Sequence, residues 1–420
     1  MDAAPPQRRP RLPPPGAEQE AFLGPLPPEL LDGILSRLPL SDAVRTSALA
    51  RAWRRRWESV PSLKFKWGEG ADPGAITDVL QRYSCPVSEF RHSRVGKESF
   101  RHSKRWLRLL ALKAVQHLSL DFEWSPELVH TLSRSIFSCR ELTFLSIDNC
   151  IVPAMPPLFA GYPHLISLRL SCVCFPEGAW QLELLIAASP LLENLCLQQL
   201  QVPYSDDMPD PWVIEAPKLR HLVIIGFFDH GWQISDLPSL EDARINCESG
   251  RDFAKLMTGV AGARDLDVAI PDGNGNILEG LSRPFNNLKS LLLRMSLSLL
   301  SSVSTVFCLL RSAPKLEDLT IELNDGDYDD DEVGNDFLNA QWADDLFSTL
   351  VHVSVMNMMC KLSEMHFVEF VLSKARRLQQ FHVYLDKDCP KSNEDVITKL
   401  AKYRRASPRA KVFFERLSDD

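Results

Sequence analysis

The sequence predicts an α/β protein in which a short all-helical segment is followed by a solenoid of stacked repeats, a curved parallel sheet with helices on its convex side. Three observations lead there. At 420 residues the chain exceeds the roughly 250 to 300 that one hydrophobic core serves, so several domains or an elongated repeat array are required. Apolar residues make up 45% and charged residues 24% of it, ordinary values for a folded, soluble chain. From about Val115 onward an L-x-x-L-x-L pattern recurs in phase.

The first twenty residues, MDAAPPQRRPRLPPPGAEQE, are rich in Pro, which withholds a backbone donor, and poor in anything that can be buried. Residues 1–22 are therefore expected to form a disordered tail, with Arg8–Arg11 as an alternative basic nuclear signal. The next segment, Leu26–Phe65, reads as helical. Pro27 and Pro28 suit a helix start, and Leu30, Leu31, Ile34, Leu35 and Leu38 form a stripe before Pro39 ends the run. A second helix is expected to be capped by Ser41 or Asp42, with Val44 and Leu49 inward and Trp53 and Trp57 one turn apart. About forty residues make a poor core of their own, so this greasy unit should dock on a partner. Residues 67–112 read as a linker and a first-repeat helix. The basic stretch Arg91–Trp106 reads as the solvated face of that helix rather than a phosphate or RNA site.

The repeat comes next. Its central positions are Leu118, Leu145, Leu168, Leu195, Leu222, Ala243, Leu266, Leu291, Leu319, Val353 and Phe381, at a period close to the ~20 to 29 residues of leucine-rich repeats. The alternating end of each unit suits a half-buried strand, and the intervening stretch must return over the other side, mostly as helix. Pro163, Pro190, Pro217, Pro238 and Pro314 each stand two residues before the first Leu of a unit and mark helix-to-strand boundaries. The near-duplicates AASPLLENLCL, from Ala187, and RSAPKLEDLTI, from Arg311, show the unit plainly. A polar Asn or Cys three residues after the strand is found only at Cys150 and Asn324, so an irregular arc is expected over residues 113–345. The insertion NDGDYDDDEVGND, residues 324–336, lacks the Gly and Glu of a calcium loop, having Asp330 and Asp336 there; it reads as a solvated acidic loop.

Leu26–Phe65 closely resembles an F-box, in the wording LPPELLDGILSRLPLSDAVRTSALARAWRRRW found in plants. The stretch VHVSVMNMMCKLSEMHFVEFVLSKARRLQQFHVYL with ITKLAKYRRASPRAKVFFE is similar to the C-terminal FBD region of plant F-box and leucine-rich-repeat proteins, a last repeat followed by a helix and a terminal strand. The resemblance implies an F-box over 23–66, a leucine-rich-repeat solenoid over 113–345 and FBD-like repeats with a cap over 346–420. It implies the substrate-recognition subunit of a Skp–cullin–F-box ubiquitin ligase, with a Skp-type adaptor linking it to cullin and RING subunits and the solenoid holding a protein target. The alternative is a scaffold that binds without promoting turnover. Carried onto this chain, adaptor contacts fall on Leu26, Pro27, Leu30, Leu31, Ile34, Leu35, Leu38 and Pro39, with Val44, Leu49, Trp53 and Trp57 completing the surface or holding the helices together. Arg54, Arg55 and Arg56 are candidates for steering an acidic adaptor.

Other classes find little support. The formal charge is −8, and seven acids of the insertion between Asp325 and Asp336 supply most of the excess, so no global polyanion-binding charge exists and nucleic acid is not the expected partner. The longest uncharged apolar stretch, Met295–Leu310, contains five serines and falls short of the ~20 apolar residues of a membrane span. Ten cysteines without a CxxC pair argue for reduced thiols in cytoplasm or nucleus. Cys172 and Cys174 are expected to share a strand face without making a metal site. The Gly273–Gly275 turn lacks a dinucleotide fingerprint, and GxSxG, HExxH and phosphate-loop motifs are absent. No enzyme, cofactor or metal is expected.

Overall fold

The computed structural model describes residues 27–49, 51–60, 63–124, 130–201, 212–227, 231–247, 253–270, 281–324, 333–343 and 346–416. The tail, Leu26, Ala50, the Gly273–Gly275 turn and residues 325–332 of the acidic insertion lie outside them. The chain divides into two units, residues 1–123 with 138–142, and residues 124–137 with 143–420.

In the first unit, α1 (Pro28–Leu35) starts with proline at its first position, where the missing N–H has no helical partner to lose. α2 (Leu40–Arg45) begins directly behind Pro39, without the expected Ser41 or Asp42 cap. Three 3-10 turns follow, Thr46–Ala48, Arg51–Trp53 and Arg56–Ser59. Arg55 has a left-handed φ of 59°, which breaks the helix that would have placed Trp53 and Trp57 on one face.

The expected linker is in fact structured. β1 (Lys64–Trp67), α3 (Pro73–Arg82), β2 (Glu89–Val95), α4 (Lys97–Leu112) and β3 (His117–Phe122) form a parallel β1-β2-β3 sheet in the register Phe65↔Phe90↔Leu118. Two repeat units therefore precede the first leucine-type unit. They escape the pattern because phenylalanine stands at their ladder positions. The basic stretch splits accordingly: Arg91 and Arg94 belong to β2, and the rest to α4, the second helix after a strand.

The N-terminal helices share a core with these units. The Tyr83 hydroxyl donates to the Val60 carbonyl at 2.8 Å, the Ser84 N–H to the Glu58 carbonyl at 2.7 Å, and the Arg82 side chain pairs with Glu58. The Arg82 guanidinium lies 5.3 Å from the centre of the Trp57 ring. The shortage of core expected of forty residues is met inside the chain.

The second unit holds a parallel sheet of β4 (Phe144–Ile151), β5 (Ser167–Cys174), β6 (Asn194–Gln198), β8 (His221–Gly226), β10 (Asp242–Cys247), β11 (Asp265–Ala269), β12 (Ser290–Met295), β13 (Asp318–Leu323), β14 (His352–Met358), β15 (Gln380–Leu385) and β16 (Lys411–Arg416). Its central ladder runs Leu145↔Leu168↔Leu195↔Leu222↔Ala243↔Leu266↔Leu291↔Leu319↔Val353↔Phe381, and continues to Val412. The repeat phase is thus the strand register. All of these but Val412 are buried. The ladder continues without a break from β13 into β14, across the expected boundary at 345/346.

Return segments are only partly helical: α5 (Trp180–Ala187), α6 (Phe253–Gly259), α7 (Leu300–Arg311), α8 (Asn335–Ala340), α9 (Leu362–Lys374) and α10 (Asn393–Lys402). On the way into β8 and β10 the chain forms instead a second, two-stranded parallel sheet, β7 (Val213–Ile214) with β9 (Gln233–Ile234). The neighbouring Trp212 and Trp232 rings meet edge to face at 5.1 Å, and β-branched Val213, Ile214 and Ile234 favour extended backbone. The prolines play a different part from the one expected. Only Pro190 and Pro314 follow a helix. Each of the five is the second residue of a turn closed by an N–H of the unit's first Leu, as in Leu165 to Tyr162 at 3.2 Å and Leu219 to Ala216 at 3.0 Å, where proline's fixed φ fits.

A second device replaces the missing polar ladder. Arg94, Asn149, Cys172, Gln199 and Asn357, each four residues after a ladder position, adopt left-handed φ of 48–59°. The kink inserts one residue into the strand, so buried positions run Leu168, Leu170, then Val173 and Phe175. Cys172 is therefore the inserted residue and not an alternating partner of Cys174.

Gly161 precedes the Pro163 turn with φ +86°, and a Cβ there would stand 2.0 Å from the Ala188 carbonyl oxygen. Gly161→Ala is expected to destabilise the second unit by about 1–3 kcal/mol, read as a lower midpoint in urea. An unchanged midpoint would show that the two return segments separate at no cost.

Candidate functional site

Two surfaces qualify, one in each unit. In the first, α1 is only eight residues long, and consecutive side chains on a helix diverge by about 100°, so its aliphatic stripe splits into two faces. Leu31 and Leu35 turn inward and are buried, while Leu30 is 56% and Ile34 41% exposed. Beyond α1, Leu38 and Val44 are half-buried, Pro27 and Pro39 are exposed, and Leu49 is 54% exposed. Trp53 and Trp57 are interior. Of the residues carried over as adaptor contacts, Leu31, Leu35, Trp53 and Trp57 therefore hold the helices together and offer no surface in this conformation. Leu49, grouped with the inward residues by spacing, stands outside because the chain has left α-helical geometry by Thr46.

Arg56 is likewise fixed inside the fold. Its Nε donates to Asp32 Oδ1 at 2.6 Å and its Nη2 to the Pro28 carbonyl at 2.8 Å, clamping the start of α1. Arg54 and Arg55 are exposed and free to steer an acidic partner. What remains exposed is a set of apolar residues, Pro27, Leu30, Ile34, Pro39 and Leu49, with cations beside them in sequence. Full burial of a large aliphatic is worth about 1.5–3 kcal/mol, so Leu30, Ile34 and Leu49 are the natural energetic centre of a docking contact.

The second surface is the sheet face opposite the buried ladder, built by period-two alternation that the left-handed kinks interrupt in some strands. Its middle carries an ion-pair chain across four adjacent strands. Arg244 Nε lies 2.6 Å from Asp267 Oδ2, Arg294 also pairs with Asp267, and Arg294 Nε lies 3.0 Å from Glu322 Oε2. Burial works against the Arg294 charge, but Asp267 and Glu322 outweigh it and hold its pKa above the ordinary value. Flanking this chain, His221 pairs with Asp242, and His352 Nδ1 lies 2.5 Å from Asp318 Oδ1. Farther along, His382 stacks on Phe413 at 4.6 Å and on Tyr384 at 6.0 Å. Alternation in the sequence places each residue on this face. The pairs across strands depend on register and become readable only once the ladder is known.

Neither His–Asp pair is joined by a described hydroxyl or thiol in a nucleophile–base arrangement. Among the described residues there is no group of three or more His, Cys, Asp or Glu able to hold a metal ion, and no helix long and apolar enough to cross a membrane. All ten cysteines are free thiols. Burial pushes the Cys139 thiol up to about 12 and that of Cys150 higher still, which keeps both neutral and unreactive.

The family model of the F-box domain matches residues 24–65, and that described as "FBD-associated F-box protein At5g56370, LRR repeats" matches residues 103–268. Neither describes an enzymatic domain. Among curated proteins of Arabidopsis thaliana, the F-box/FBD/LRR-repeat protein At1g13570 is 25% identical over 94% of this chain and 99% of its own length. The putative F-box/FBD/LRR-repeat protein At5g22670 is 25% identical over 95% of this chain and 99% of its own. The FBD-associated F-box protein At5g38590 is 24% identical over 86% and 93%.

Proposed function

We propose that this chain, a member of the plant F-box/FBD/leucine-rich-repeat family, is the substrate-recognition subunit of a Skp–cullin–F-box ubiquitin ligase. F-box domains in general bind Skp-type adaptors. The observation that carries the reading here is the exposure of apolar Pro27, Leu30, Ile34, Pro39 and Leu49 within the segment matched by the F-box model. The adaptor covers these residues and brings cullin and RING subunits with it. The open sheet face of the second unit, with its fixed charges and aromatic stack, holds the protein target. The chain contributes position and not chemistry, since transfer of ubiquitin depends on a target lysine being held at productive distance. Ten free thiols suit the reducing cytoplasm or nucleus where such a receptor would work.

The test is a pull-down with a purified Skp-type adaptor, comparing the wild type with Leu30→Ala/Ile34→Ala. Hot-spot truncations cost about 2 kcal/mol or more each, and about 1.4 kcal/mol is tenfold in affinity, so binding should fall by two orders of magnitude or more. Both side chains are exposed, so the circular dichroism spectrum should not change. Unaltered adaptor binding would refute the reading. Proximity labelling under proteasome inhibition then names proteins that accumulate beside the chain, and their ubiquitination should be lost in the double variant. Retained adaptor binding without any such accumulation would point to a scaffold.

A further inference from the structure

α4 carries five cations on one exposed stripe: Lys97, Arg101, Lys104, Arg105 and Arg108. Their offsets of three and four residues place them on neighbouring turns over about 16 Å of helix at 1.5 Å per residue. The opposite side of the helix is sunk in the core through Trp106, Leu107 and Leu110. None of the five forms an ion pair with a described residue. Several other cations of the same unit are matched: Arg56 with Asp32, Arg82 with Glu58, Arg94 with Glu69, and Lys64, Lys66 and Arg91 around Glu89.

Such an arrangement works against the helix that holds it. Lys97 and Arg101, Arg101 and Arg105, and Lys104 and Arg108 are like-charge neighbours four apart, and Arg101 with Lys104 and Arg105 with Arg108 three apart. Each such pair weakens an isolated helix. Glu98 is the only acid on α4. One turn beyond Arg108 the stripe ends in Leu112, a large apolar group that is 84% exposed. A run of repelling cations closed by an exposed leucine is the complement of an acidic segment with an apolar end.

We propose that this face of α4 docks an acidic protein segment in helical form, its carboxylates recurring every three or four residues and an apolar residue meeting Leu112. A helical partner has the same 5.4 Å turn and so meets the stripe charge by charge. Nucleic acid fits less well: the whole chain is formally −8, and the aromatics of α4 are turned away, Trp106 being buried and Phe100 half-buried, which leaves no stacking platform. The proposal is independent of the adaptor reading.

Fluorescence anisotropy on the full chain tests it at 50 mM salt. The probe is a blocked, Ala-based 20-residue peptide with Glu at i, i+4, i+7, i+8 and i+11 and Leu at both ends. Its composition-matched scramble, with the Glu in one block, and a 20-nucleotide polyuridine RNA are the comparisons. The spaced peptide should bind at least fivefold tighter than the scramble and lose affinity steeply with salt. Arg101→Gln/Arg105→Gln should weaken it at least tenfold and Leu112→Gln about threefold, while Lys64→Gln/Lys66→Gln on the sheet leaves it unchanged. All five substituted side chains are exposed, so every variant should stay folded, with an unfolding midpoint close to that of the wild type. No saturable binding, equal affinity for the scramble, an equal loss in the Lys64/Lys66 variant, or tighter binding of the RNA than of the peptide would each overturn the proposal.

Discussion

Trp57→Ala is expected to remove about 3–5 kcal/mol from the first unit, the usual result of deleting a buried aromatic from a core. Trp57 is 1% exposed, lies under the Arg82 guanidinium at 5.3 Å, and sits where the N-terminal helices meet α3. Its loss leaves a cavity, removes the cation–π contact and loosens the Arg82–Glu58 pair. The indole Nε1 is buried without a hydrogen-bond partner, so the contribution is packing, and Trp57→Phe should recover much of it. Urea unfolding of the full chain followed by tryptophan fluorescence measures both variants. A loss below about 1 kcal/mol for the alanine variant would mean that the helices and the first repeats do not share a core. Leu30→Ala/Ile34→Ala makes the contrast: Trp57→Ala should lower the proposed adaptor binding by destabilising the first unit, the double variant without destabilising it.

The second large effect is a pH dependence. Glu364, 5% exposed, caps the start of α9 by accepting the Lys361 N–H at 3.0 Å. Burial outweighs the backbone N–H groups and the Lys361 charge, and pushes its carboxyl from 4.5 up to about 7. The folded state thus holds the proton more tightly than the unfolded chain. The stabilisation linked to it is complete below about pH 4.5 and is lost as pH rises through about 7. Each tenfold change in proton affinity is worth about 1.36 kcal/mol, so the difference is on the order of 3 kcal/mol. The neighbouring Cys360 thiol and the Tyr403 hydroxyl are both raised to about 12 and stay neutral throughout. Glu364→Gln keeps an acceptor for the cap and removes the titration. Unfolding midpoints taken from pH 5 to pH 8 should therefore fall in the wild type relative to the variant. Parallel curves would place the carboxyl in contact with water.

Much of this architecture can be read in the linear chain, because its repeats are quasi-one-dimensional. Each unit touches its neighbours, so the phase of L-x-x-L-x-L becomes the register of the sheet, and Leu145 meets Leu168 for the reason that both are the first buried residue of their strands. The open face follows by alternation. The units at Phe65 and Phe90 stay hidden because aromatic residues replace the leucines of the pattern; their period is intact and is the signal that could find them. The left-handed kinks leave a readable trace as well, an apolar residue five positions after the ladder, as at Val173 after Leu168 and Leu200 after Leu195.

The exposed side of the N-terminal helices shows the opposite case. Composition and spacing in Leu26–Phe65 identify the segment and determine that it buries more apolar surface than it can hide alone, since amphipathic pattern and hydrophobic content are properties of local sequence. Which residues stay outside was decided by packing at a distance in sequence. α3 and Tyr83 took Trp57 and Val60 into a common core, Arg55 turned left-handed, and Leu30, Ile34 and Leu49 were left on the surface. Periodicity states that a side chain has an inward side. Only the tertiary structure states what lies on that side, because burial is a relation between segments and no single segment contains it.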